Sequence, residues 1–289
     1  MPRIATRLLP FLLLFALHTQ AFAEKKPYSV FAKGHHIGSA DVDSGDGSFE
    51  TSGFTTGFSM PLLTFSYTQD TYDWNNASSL PLTSNGDDPW DTLHVLELST
   101  SFSGKLADRW GWFAYGNVDS AFEEEMKDSF GALAVGGISY SLNERFSISA
   151  GVGGKFHSVE DELFPVLSIH YNAVGADGVG AYGSLGVDGV VAGYAFTPSL
   201  RLKGAVKHEI EMYRLADDSN VSREGYMEHS GWRAGVQGEY DITSSLSITG
   251  GLDYHFARTM RIYESSGDED KKLDVDGAPG FTLGIGYAF

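Results

Sequence analysis

The chain has 289 residues, with 20 Lys and Arg against 38 Asp and Glu, and no cysteine. A formal charge of −18 argues against a nucleic-acid partner, and the missing thiols exclude a disulfide framework, a thiol nucleophile and a thiolate metal site. Glycine is abundant at 35 residues, aromatics make up 13% and prolines number only 9, a balance suited to extended segments on which rings lie against small residues.

Residues 1–23 read as a cleavable secretory signal. Arg3 and Arg7 form a basic start, Leu8 to Leu17 is an apolar run broken only by Pro10, and Ala21-Phe22-Ala23 puts small residues where a signal peptidase cuts. No later segment approaches the roughly 20 continuous apolar residues of a transmembrane helix. The signal holds two of the basic residues and no acid, so residues 24–289 carry 18 basic against 38 acidic groups, a charge of −20.

The remaining chain divides into segments with period-2 alternation. Candidate strands fall near 27–36, 48–58, 62–73, 93–106, 110–118, 130–142, 146–156, 163–171, 178–187, 190–196, 200–213, 230–242, 246–262 and 279–289. Leu96, Leu98, Phe102 and Leu106 alternate with Glu97, Ser99, Ser101, Ser103 and Lys105, then lead through Ala107-Asp108-Arg109 to Trp110 and Trp112. After Asn143-Glu144-Arg145, Phe146, Ile148, Ala150, Val152 and Phe156 alternate with Ser147, Ser149, Gly151, Gly153 and Lys155. The stretch from Ala173 to Ala195 is rich in Gly and Val. There Asp188-Gly189 forms either a tight hairpin, giving 14 strands, or a punctuation in one long traverse, giving 12.

Later segments are cleaner. Leu200, Leu202, Val206, His208, Ile210 and Met212 oppose Arg201, Lys203, Lys207, Glu209 and Glu211. Trp232, Ala234, Val236, Tyr240 and Ile242 oppose Arg233, Gln237 and Glu239, and Leu246, Ile248, Leu252, Tyr254 and Phe256 oppose Asp253 and His255. The last strand carries Phe281, Leu283, Ile285, Tyr287 and Phe289 on one face, with Thr282, Gly284, Gly286 and Ala288 between them. Short turns such as Thr197-Pro198-Ser199 and Thr243-Ser244-Ser245 alternate with long acidic connections near 38–47, 74–92, 119–129, 214–229 and 264–278.

The ending resembles the carboxy-terminal signal of outer-membrane proteins, a final Phe with an aromatic two places before it, which the barrel-assembly machinery reads. From Glu24 to Phe289 the chain resembles a bacterial outer-membrane β-barrel, and the run from Trp90 through Phe164-Pro165 to Tyr213-Arg214-Leu215 is similar to an uncharacterised barrel family of unknown function. The resemblance implies an all-β, antiparallel up-and-down transmembrane barrel of about 14 strands, with 12 as the alternative. Long loops are then expected outside the cell and short turns in the periplasm, with export across the periplasm to the outer membrane. Its partners would be outer-membrane lipid, lipopolysaccharide and the assembly machinery.

Apolar residues should then face lipid and polar ones the lumen. The candidate lumen residues are Arg201, Lys203, Lys207, Glu209, Glu211, Arg233, Gln237, Glu239, Asp253 and Arg261, either a selective solute path or a paired network that fills a narrow barrel. Trp110, Trp112, Phe146, Phe196, Tyr240 and Phe289 sit beside short turns and should form an aromatic girdle. Trp90 lies in a loop and could cap the lumen. Asp41, Asp43 and Asp46, and Asp268, Glu269, Asp270, Asp274 and Asp276, offer oxygen ligands but depart from an EF-hand spacing. Phospholipase barrels carry a His-x-Ser pair, which this chain lacks, so neither an enzyme nor a cofactor is expected. The expected function is a narrow selective channel or uptake barrel for small solutes; the alternative is a closed structural or surface-interaction barrel.

Overall fold

The computed structural model describes residues 26–43, 45–82, 86–187 and 189–289. The predicted signal, 1–23, and Asp188 of the predicted hairpin lie outside the described residues. The strands are β1 (Ser29–Asp41), β2 (Ser48–Ser59), β3 (Leu63–Asn75), β4 (Thr92–Lys105), β5 (Trp110–Phe122), β6 (Phe130–Ser141), β7 (Phe146–His157), β8 (Glu162–Asn172), β9 (Gly180–Gly186), β10 (Gly189–Thr197), β11 (Leu200–Arg214), β12 (Tyr226–Asp241), β13 (Leu246–Tyr263), β14 (Glu269–Val275) and β15 (Ala278–Ala288). Strands adjacent in the chain pair antiparallel from β1 to β13. The last traverse then pairs with β13 and closes on β1, from Ser29 opposite Ala288 to Ile37 opposite Gly280. Segments β14 and β15 are two parts of that last traverse, so the ring has 14 strands; the Gly-Val stretch supplies two of them, β9 and β10.

All five long connections are shorter than their composition suggested. The acidic segment 264–278 contains β14, which pairs with the upper part of β13, and β1 runs on to Asp41 within 38–47. Both extensions rise beyond the apolar belt, where an outward face needs no grease and charged residues alternate with inward Leu273 and Val275.

At the turn end, side chains hold the chain reversals. The amide of Leu200 donates to Thr197 Oγ1 at 3.0 Å, that of Leu246 to Thr243 Oγ1 at 3.0 Å, and that of Phe146 to Asn143 Oδ1 at 3.0 Å, each a local bond that favours a turn over continued ladder. Tyr28 and Phe289 exchange backbone hydrogen bonds there. The six predicted girdle aromatics lie at this end and face outward, with ring neighbours such as Tyr140 beside Trp110 and Tyr171 beside Phe146.

The middle of the outer surface is apolar. Leu252 is 73% exposed, Leu167 65% and Leu283 64%. At about 25 cal/mol per Å² a belt of this kind is unfavourable in water and favourable in lipid, where ring closure pairs the backbone groups that an open sheet would leave unpaired at its ends. The belt on β13 ends at Phe256, about the 11 residues a tilted strand needs to cross a bilayer. No helix among the described residues is long and apolar enough to cross a membrane.

Beyond Phe256 the architecture changes. Ala257 has φ 49° and the β12–β13 register shifts between Ser230 and Trp232, a bulge that turns β13 over. Arg258, Met260 and Ile262 therefore point inward although they continue the even-numbered row that faces lipid below. Met260 and Ile262 join Val42, Phe49, Tyr72, Trp74, Leu80, Leu82, Trp90, Leu93, Tyr213, Leu215, Met227, Leu273 and Val275 in one apolar core drawn from β1 to β5, β11 to β15 and their connections, 76–91 among them, and the Arg258 guanidinium lies over the Phe49 ring at 5.1 Å.

The wall is also pinched. The hairpin β9–β10 is short, so β8 above Ile169 and β11 above Lys207 lack the partners that lower parts of these strands have. Pro165 lies opposite Val152 of β7 in the stretch of β8 that has no β9 partner, an edge position of the kind that tolerates proline. The upper part of β11 swings into the ring and reaches β5. Arg214 pairs with Phe122 in a parallel bridge, and the amide of Glu123 donates to the Arg214 carbonyl at 2.9 Å. Ile210, from the face that points to lipid lower down, packs instead on the inward-facing Phe113, Val135, Phe164 and Val166.

Candidate functional site

The lumen below the apolar core is polar and wet. Inward-facing Lys33, Ser101, Ser103 and Lys105 are solvent-exposed although they point into the ring, which makes this part a vestibule rather than a packed interior. Nine of the candidate lumen residues project into the ring: Arg201, Lys203, Lys207, Glu209 and Glu211 from β11, Arg233, Gln237 and Glu239 from β12, and Asp253 from β13. Their neighbours Leu200, Leu202, Val236, Tyr240, Leu252 and Tyr254 are exposed on the outer face.

Arg261 is the exception. The Ala257 bulge places it on the face opposite Met260 and Ile262, where its Nη1 donates to Glu228 Oε1 at 2.9 Å and its Nε lies 3.9 Å from Glu269. It is a strut outside the apolar ring, not a lumen residue.

Within the vestibule, ion pairs cross between adjacent strands. Arg201 Nη2 donates to Glu239 Oε1 at 3.0 Å and to Asp241 Oδ2 at 2.7 Å, and Arg233 Nη2 lies 2.6 Å from Glu209 Oε1. All of these groups remain partly exposed to the lumen, so each bridge contributes at the modest end, about 0–1 kcal/mol, and orients its Arg rather than holding the fold. Lys33 on β1 lies within electrostatic reach of Arg233 and Glu239, and Lys203 on β11 within reach of Glu239, Lys207, Lys33 and Arg233.

Nearer the loop end the sign reverses. Glu97, Asp119 and Glu211 approach one another from β4, β5 and β11, with Lys155 of β7 facing them. At the same height His35 Nε2 meets Asp70 Oδ1 at 2.8 Å and His255 Nε2 meets Asp253 Oδ1 at 2.8 Å. The first pair spans β1 to β3 over Gly53, where a Cβ would sit 2.5 Å from the Gln69 carbonyl oxygen and 2.7 Å from the His35 ring; only glycine leaves room for that bridge. From the turn end upward the lumen therefore presents a basic level, a His–carboxylate and acidic level, and an apolar closure.

The closure is built around Trp90, 2% exposed. Its ring meets Trp74 edge-on at 5.3 Å and Tyr72 edge-on at 5.8 Å, and its carbonyl accepts a hydrogen bond from Trp74 Nε1 at 2.8 Å. Trp90 thus caps the lumen, together with Leu80 and Leu82 from the same connection. Among the described residues no group of three or more His, Asp or Glu is arranged to hold a metal ion; the two acidic segments meet through their backbones, the Asp43 amide donating to the Asp274 carbonyl and the Asp276 amide to the Asp41 carbonyl, each at 2.9 Å.

Sequence patterning missed Lys33, His35, Asp70 and Asp119. In β1 the inward Phe31 between outward Val30 and Ala32 hides the alternation that would have exposed Lys33. The apolar row of β5 ends four residues before the strand does, so composition assigns Asp119 to a loop.

No protein-family model matches the chain, and no curated protein matches it in sequence. Solved structures of similar shape include an outer membrane channel from Pseudomonas putida F1, with 10% identity and TM-score 0.44 over 92% of this chain and 97% of that one. The NanC porin is 10% identical with TM-score 0.38 over 90% and 100%, and the KdgM porin 8% identical with TM-score 0.32 over 90% and 99%.

Proposed function

We propose that this chain is an outer-membrane channel for small solutes that is shut at its extracellular end by the apolar core and opens when the 76–91 connection moves. The observation that supports it is the water-exposed charged vestibule lying directly beneath an apolar closure to which the 76–91 connection contributes Ala77, Leu80, Leu82 and the central Trp90. A barrel built only as a scaffold gains nothing from exposed lysines and serines inside its ring, whereas a solute path needs them. In this reading residues 1–23 direct export and are removed, the short turns face the periplasm, the acidic loops face outward among lipopolysaccharide, and the Phe289 strand engages the assembly machinery. No reaction is assigned to it.

The test is single-channel conductance of refolded residues 24–289 in planar bilayers, beside a variant in which 76–91 is replaced by a short Gly-Ser turn. Rare openings in the native chain and steady conductance in the shortened one are expected. Silence from a shortened barrel that is folded and heat-modifiable would overturn the proposal.

A further inference from the structure

The vestibule has a chemical preference that the chain as a whole does not share. Over the mature chain acids outnumber bases by 20, yet at the basic level of the lumen Lys33, Arg201, Lys203, Lys207 and Arg233 gather on β1, β11 and β12. The carboxylates among them are already engaged. Glu239 and Asp241 accept from Arg201, Glu209 lies against Arg233, and Asp253 is held by His255. Lys33 and Lys203 make no ion pair within 4.0 Å among the described residues, although they sit close enough to repel one another across the curve of three intervening strands. Opposite them the wall of β4 to β7 carries Ser99, Ser101, Ser103, Ser139, Ser147 and Ser149, neutral hydroxyls that donate hydrogen bonds without adding charge.

We infer that Lys33 and Lys203 form the two sides of a binding site for a small oxyanion, a carboxylate or phosphate group carried by the solute, which enters the vestibule from the periplasmic end. Two ammonium groups facing the same water-filled space lower their mutual repulsion by sharing an anion, and Lys207, within electrostatic reach of Lys203, adds to the positive potential, whereas Arg201 and Arg233 are offset by their own carboxylates. The acidic level formed by Glu97, Asp119 and Glu211 lies further in and raises a barrier to the anion, so the anion dwells at the basic level. Passage of the bound anion through the barrel rests on the channel reading; its capture by the two lysines does not.

The test is titration calorimetry of the refolded mature chain in detergent at fixed ionic strength, with succinate and with inorganic phosphate as separate probes. The variants are Lys33→Gln, Lys203→Gln, the double variant, and Lys271→Gln at the loop end as a control; heat-modifiability verifies the fold of each. Saturable binding of at least one anion is expected, weakened roughly tenfold or more in the double variant and unchanged in the control. Succinate alone, phosphate alone or both would define the group recognised. Absence of binding to the native chain, or equal binding by the double variant, would overturn the inference. Binding without conductance would remove the channel reading and leave the site; conductance without binding would do the reverse.

Discussion

Replacing Trp90 with Ala tests whether the apolar closure is a gate. The ring is buried among Trp74, Tyr72 and the aliphatic residues of the core, with two edge-on aromatic contacts. Truncating a buried Trp to Ala costs about 3–5 kcal/mol, and a closure facing water on one side relaxes enough to put this case near the lower end. If the open state does not bury Trp90, the loss of about 3 kcal/mol falls on the closed state alone and shifts the equilibrium roughly a hundredfold. A channel open on the order of one part in 10,000 would then open on the order of one part in a hundred, a change read directly as open probability in single-channel records. The Trp74 indole N–H loses nothing, because its acceptor is the backbone carbonyl of residue 90 and survives the substitution. Native-like silence from a heat-modifiable Trp90→Ala barrel would refute the reasoning that the core holds the channel shut.

Other residues carry further expected outcomes. Removing Phe289 should impair assembly in the outer membrane while leaving export intact, because Phe289 exchanges backbone hydrogen bonds with Tyr28 at the closing seam; a normal heat-modifiable barrel in the outer-membrane fraction would contradict this. Gly137→Ala should lower thermal stability by about 1–3 kcal/mol, since a Cβ there meets the Phe113 ring at 2.6 Å and the backbone of Gly151 at 2.8 Å; an unchanged melting transition would show that the ring has room to move. Burial pushes the Glu123 carboxyl above its ordinary range against the hydrogen bond from the Ala216 amide. An acid with a raised folded value contributes stability below its unfolded value that is lost as pH rises through the folded one. Glu123→Gln should therefore flatten the pH dependence of unfolding just above about pH 4.3, and an unaltered profile would remove Glu123 from that account.

The lower barrel was legible because alternation is a strict signal wherever one face meets lipid. The rows Leu246 to Phe256 and Phe281 to Phe289 fix both register and facing, and the inward side is given by parity. Parity carries only as far as the ladder is uninterrupted. Ala257 breaks it with no glycine to announce the bulge, so the residue count assigns Arg261 to the face of Asp253 while the strand delivers it to the other side. A trace was present in Arg258, a charge in an otherwise apolar even row. The closure was hidden for a different reason: Leu80, Leu82 and Trp90 lie among Asp, Asn and Ser that mark a loop, and only their burial against distant strands gives them a role. The inward swing of β11 has no local signal, since it arises from how short β9 and β10 are.

That swing constrains how the molecule can be made. The tip of β11 is nested inside the wall of β6 to β8 and is tied to β5, a strand that precedes it in the chain by five others. If the β1–β15 seam closed on a fully continuous wall, the tip would have no way in. The gap above the short β9–β10 hairpin omits two strands, about 10 Å of wall at ordinary strand spacing, which is wide enough to admit one strand. The ends can therefore be zipped first and the tip tucked in afterwards, making the last assembly step a local one that needs no reopening of the ring.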